Sequence, residues 1–179
     1  MGYQLKYPIG KFTPPQNIEK EDIRKWIHDI AFFPNKVKEA VNPLDEDILE
    51  WRYRPKGWSI KQLVHHCADS HMNAYIRFKL ALTEVNPTVR PYYEDRWAEL
   101  IDSYEADISV SIKILEGLHH RWIIMLESLS ELDLQSTFMH PEHGKQFTLA
   151  ETIGMYAWHA NHHLAHIYQA IESRGKYNI

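Results

Sequence analysis

Cysteine is nearly absent from this sequence: Cys67 is the single one in 179 residues. No intramolecular disulfide can form, and a reducing, cytoplasmic setting is expected. No uninterrupted apolar run reaches the ~18 residues that a membrane span needs. The opening MGYQLKYPIGKF lacks the apolar stretch of a secretory signal. Basic runs are also missing and the net charge is −4, which argues against a nucleic-acid partner. Glycine is scarce, with 7 residues, and none of them falls into a P-loop, a dinucleotide-binding turn or a G-x-S-x-G elbow. What remains is an ordinary globular balance, 44% apolar and 25% charged, which suits one domain over residues 1–179.

The abundant residue is histidine. There are 12, and four of them, His159, His162, His163 and His166, crowd into WHANHHLAHI. The pattern around them is helical. Four long segments carry apolar residues at helical spacing. The first runs through Ile23, Trp26, Ile27, Ile30, Val37, Ala40, Val41 and Leu44, with Pro34 inside it predicting a kink or a split. The second spans about Ile60 to Thr83 and opens with a Ser59/Gln62 capping box. The third covers roughly Ser109 to Leu129. The last opens with a Thr148/Glu151 box and stops before Gly175. Residues 1–17 read as an extended arm packed through Tyr3, Tyr7, Ile9 and Phe12. Long connections at 86–108 and 130–147 remain, the latter with HPEHGK as a turn at the tip of a small hairpin. The fold class is therefore all-α, a four-helix bundle with long connections and an N-terminal arm.

On a helical wheel Leu149, Ile153, Tyr156, Ala160, Leu164, Ile167 and Ile171 face the core. His159 and His163, four residues apart, lie at the edge of that face; His166 lies slightly further out and His162 furthest from the core. Two imidazoles one turn apart can share a metal ion. A third ligand must come from another helix. The second helix offers a polar stripe of His66, Asp69, Ser70, Asn73 and Arg77 beside its core face, and such a stripe is costly to bury without partners. This makes His66, His159 and His163 the candidate ligands. Asp69, one turn from His66, is the candidate orienting carboxylate or base. Asn73 and Arg77, with Arg90, are candidates for holding an anionic substrate group. His71 and His119 read as hydrogen-bonded core residues, His28, His65 and His120 as surface, and His140 and His143 as loop residues. Cys67 reads as a small apolar filler.

Two metal classes fall away. The metalloprotease pattern H-E-x-x-H needs Glu directly after the first His, and Ala160 stands there. A di-iron bundle needs two E-x-x-H motifs, and Glu116 to His119 is alone.

GWSIKQLVHHCADSHMNAYIRFKLALTE together with YAWHANHHLAHI resembles the DinB/YfiT-like superfamily. YPIGKF, RPYYEDRW, LHHRW and HPE place the likeness in its YfiT branch, over nearly the whole chain. The resemblance implies a four-helix bundle holding one divalent ion, zinc or nickel, on three histidines. It selects His66 of the H-x-x-D motif over His65, with His159 and His163 of the last-helix H-x-x-x-H. Family members usually carry Leu where Cys67 stands. The resemblance also implies an enzyme that acts on a small molecule, and a homodimer. Three readings stay open. One is metal-dependent hydrolysis by activated water. Another is S-transfer of a low-molecular-weight thiol such as bacillithiol, activated at the same metal. The third is a non-catalytic bundle that the ion holds together.

Overall fold

The computed structural model describes residues 2–178, the side chain of Tyr3 excepted. Four long helices dominate: α2 (Lys20–Val41), α4 (Ile60–Thr83), α7 (Ile108–Glu127) and α9 (Leu149–Ser173). Short helices fill the connections: α1 (Gly2–Lys6), α3 (Glu46–Leu49), α5 (Glu94–Trp97), α6 (Asp102–Glu105) and α8 (Glu131–Leu134). A two-stranded hairpin, β1 (Thr137–His140) and β2 (Lys145–Thr148), pairs antiparallel with Thr137 opposite Thr148. The Ser59/Gln62 and Thr148/Glu151 capping boxes both form and start α4 and α9 where the sequence predicts.

Two apolar clusters show how the helices run. The first joins Val37 and Val41 of α2, Ile60 and Val64 of α4, Ile112 and Leu115 of α7, and Leu164 and Ile167 of α9. The second joins Ile30, Phe78, Trp122 and Ile153 of the same four helices. The C-terminal half of α2 thus meets the N-terminal halves of α4 and α7 and the C-terminal half of α9. So α4 and α7 run parallel to each other and antiparallel to α2 and α9. The main contacts close a ring in the order α2, α9, α4, α7. A parallel neighbour needs a crossover, and a 24-residue helix is about 36 Å long. That return path is the physical reason for the long segment 84–107.

Pro34 does not split the first helix. α2 runs unbroken past it, with Pro34 buried; Leu44 lies beyond its end. The N-terminal arm is only partly extended, because Gly2–Lys6 form a turn of helix before Pro8 stops it. Phe12 packs on Trp26 and Trp158, but Ile9 is exposed. Tyr3 lies outside the described side chains. Gly154 admits this packing: a Cβ there would stand 2.9 Å from the Trp26 ring and 3.0 Å from Phe12.

Candidate metal centre

Capped at Ser59, α4 presents His66 and Ser70 one turn apart on the side facing α9. From the antiparallel α9, His159 and His163 meet them. One ring nitrogen from each of His66, His159 and His163 falls within 4.8 Å of the others. His66 Nε2 and His159 Nε2 are 3.3 Å apart. Tetrahedral zinc, with Zn–N bonds near 2.0–2.1 Å, needs ligating nitrogens roughly 3.3–3.4 Å apart. The residues present therefore fit the ion. His66 and His163 are buried and His159 partly so. Burial holds the His66 imidazole down to about 3. Burial and then the neighbouring histidines keep His159 and His163 well below the ordinary histidine value. All three are neutral at pH 7, the form that binds a metal.

Trp58 covers one side, 4.5 Å from the His66 ring centre and 6.3 Å from that of His163. On the other side Ser70 Oγ lies 3.3 Å from His159 Nε2. Tyr156 and, from the crossover, Tyr92 stand beside Ser70 and Arg77. Arg77 Nη1 donates to the Tyr156 hydroxyl at 3.4 Å. Arg77 as a residue is 7% exposed, and no carboxylate pairs with its guanidinium among the described residues. Burial raises both phenols, so they remain protonated donors. Trp58 and Tyr92 carry no motif that marks them as site residues, and Tyr156 reads from the sequence as a core residue. Tyr156 lies one helical turn from His159 and touches its ring at 5.6 Å between centres, whereas Tyr92 arrives from the crossover, where no local spacing ties it to the histidines.

The Asp69 carboxylate makes no hydrogen bond to the three histidines. Burial, then the nearby Asp102, pushes it up to about 6. Asn73 Nδ2 donates to the Asp69 carbonyl at 2.9 Å. Arg90 is exposed.

Two histidines depart from the wheel. His65, read as surface, is buried: Nδ1 lies 2.8 Å from Ser111 Oγ, and Nε2 3.3 Å from the Ala106 carbonyl. His162, placed furthest from the core, is buried beneath Trp158 and Tyr7. The arm covers a face that a wheel treats as open. His71 and His119 are core histidines as expected, hydrogen-bonded to each other at 2.7 Å. His28 and His120 are exposed. Cys67 is fully buried, and burial raises its thiol far above the reactive range.

A second group, His140, Glu142 and His143, converges at the hairpin tip. A surface groove of about 1000 Å³ lies between α2, the end of α7 and α8, away from either histidine group.

The family model for the DinB superfamily matches residues 31–167. A Bacillus mycoides protein named "Putative metal-dependent hydrolase" is 52% identical over 91% of this chain and 93% of its own length. A Bacillus cereus protein of the same name is 53% identical over the same shares. The solved structure of YfiT from Bacillus subtilis, described as "a probable metal-dependent hydrolase with an unusual four-helix bundle topology", superposes with a TM-score of 0.93. It is 45% identical, and the match covers 96% of this chain and 98% of that one.

Proposed function

This chain belongs to the DinB superfamily, and on that footing we propose that it is a metal-dependent hydrolase of a small molecule. His66, His159 and His163 hold one divalent ion, zinc or nickel. The observation that carries the reading is the meeting of three neutral imidazoles from two antiparallel helices, with the His66 and His159 Nε2 atoms 3.3 Å apart. In the metal-free protein a neutral His66 can donate through Nε2 to the His159 lone pair, and a bound cation would take the place of that shared hydrogen. Such an ion, when bound, acidifies a coordinated water enough to supply a nucleophile near neutral pH.

The surrounding residues complete the chemistry. Asp69, at about 6, is ionised at neutral pH and still basic enough to accept a proton. A buried guanidinium without a carboxylate partner is unfavourable. An anionic group on the substrate would relieve that cost, so Arg77 is assigned to bind it, with Asn73 beside it. Tyr92 and Tyr156 donate hydrogen bonds toward the same space. Trp58 keeps water from the far side of the histidines.

The test is turnover of matched anionic and neutral esters and amides by the zinc- and nickel-loaded protein, with and without a low-molecular-weight thiol. The proposal expects thiol-independent turnover that favours anionic substrates. Turnover only in the presence of bacillithiol would replace hydrolysis by S-transfer and leave the metal centre standing.

A further inference from the structure

Pro34 sits inside α2 and has no N–H, so the carbonyl four residues earlier, Ile30, loses its helical donor. His119 of α7 takes the vacant place: its Nδ1 lies 2.8 Å from the Ile30 oxygen. Two further contacts lead inward. His119 Nε2 is 2.7 Å from His71 Nδ1, and His71 Nε2 is 3.1 Å from His159 Nδ1. His71 and His119 are 0% and 2% exposed, so no water competes along the way.

The direction of this chain is set at its outer end. A carbonyl only accepts, so His119 Nδ1 carries the hydrogen. In a neutral imidazole the other nitrogen is then an acceptor. His119 Nε2 must receive a hydrogen from His71 Nδ1. His71 Nε2, now without one, must receive a hydrogen from His159 Nδ1. That leaves His159 Nε2 as a bare lone pair, the atom that faces His66.

The same logic holds on the other side. Lys6 ends the short helix α1, where carbonyls lack intrahelical donors. His166 Nε2 lies 3.2 Å from the Lys6 oxygen, and His166 Nδ1 lies 3.4 Å from His163 Nδ1. His163 therefore donates through Nδ1 and also keeps its Nε2 lone pair free. Tyr53 stacks on the His166 ring at 3.9 Å between centres and holds its plane.

We infer that two backbone carbonyls freed from helical bonding, Ile30 through His119 and His71 and Lys6 through His166, fix the tautomers of His159 and His163 so that their Nε2 lone pairs are preset for a metal. His119, His71 and His166 are thus positioning residues. Partners of this kind orient a ligand ring and raise its basicity. The inference rests on the metal reading for its purpose, but the tautomers are a property of the metal-free protein and are read without any ion.

The experiment is long-range proton–nitrogen correlation on the ¹⁵N-histidine-labelled apoprotein at neutral pH, which reports which ring nitrogen of each residue bears the hydrogen. The expected result is the Nδ1–H form for His159, His163, His71 and His119 and the Nε2–H form for His166. This is the opposite of the Nε2–H form that solvated histidine favours, for all but His166. His159 found as the Nε2–H form overturns the inference. Zinc affinity by chelator competition supplies the second readout. His119→Met removes both donor and acceptor and should weaken zinc binding about 10- to 100-fold. His119→Gln can still donate to Ile30 and accept from His71, and should restore most of the affinity. The looser second chain predicts a smaller loss for His166→Met. Equal affinity in parent, His119→Met and His119→Gln, with all three folded, also overturns it. If the parent binds no zinc or nickel, the metal reading falls, and the tautomers in the spectrum still decide whether the chains exist.

Discussion

Two groups of potential metal ligands converge among the described residues of this protein, and they differ most in what supports them. His66, His159 and His163 come from two long helices, lie in the body of the bundle and are backed by further histidines. His140, Glu142 and His143 come from a single turn at the hairpin tip, and Glu142 and His143 are exposed. Burial, then the nearby Arg77 cation, lowers the His140 imidazole. His140 Nδ1 is buried without a hydrogen-bond partner among the described residues. Convergence of donors is thus common to both groups, whereas rigid support and a satisfied outer shell belong to one. A metal centre needs the support as much as the donors, because a side chain held by packing and hydrogen bonds loses no freedom on binding.

Substitutions of the ligands separate the two groups most sharply. His66→Ala or His159→Ala should weaken zinc binding by more than the roughly 100-fold that loss of an orienting partner costs, measured by chelator competition. The fold should survive. His163→Ala should keep a cooperative thermal transition in the metal-free state, whereas Leu115→Ala, in the fully buried core, should cost about 2–5 kcal/mol by denaturant titration.

Asp69→Asn should lower kcat by about 10²- to 10⁴-fold, as removal of a general base does. The parent's kcat/KM should rise with pH through about 6, and that limb should vanish in the variant. The stability sign is opposite. The folded Asp69 carboxyl binds its proton more tightly than the unfolded one, so the group weakens the fold above about pH 6 and stops doing so as the pH falls toward 4. Asp69→Asn should therefore raise the Tm slightly at pH 8, a gain in stability with a loss of activity.

Arg77→Met should reduce kcat/KM roughly 10- to 100-fold for anionic substrates, the worth of a hydrogen bond to a charged group, with neutral analogues unaffected. His143→Ala should change neither zinc affinity nor turnover. A loss there would transfer the metal to the hairpin tip and reverse the comparison.

Much of this architecture is legible in the chain itself. The 3.6-residue spacing and the Ser59 and Thr148 capping boxes locate the long helices, because local hydrogen bonding and one-sided burial write themselves into sequence. The three candidate ligands follow from two stripes, and the structure brings them together. What local spacing does not carry is covering by distant segments. His162 and His65 are buried because the arm and the residues around Ala106 and Ser111 lie over them. Pro34 reads as a helix breaker. Its consequence, an open Ile30 carbonyl, is visible only once His119 is seen to fill it from α7. The parallel pairing of α4 and α7 is likewise a tertiary fact, and the length of 84–107 is its only trace in the sequence.

The most direct measurement is metal per chain, by mass spectrometry, in the untagged protein and in its His66→Ala, His159→Ala, His163→Ala and His143→Ala variants after equilibration with zinc and nickel. The cross-helix centre predicts about one ion per chain in the parent and in His143→Ala, and its loss from the other three. A parent that binds no metal, or one whose metal survives His66→Ala and His159→Ala but leaves with His143→Ala, would contradict it.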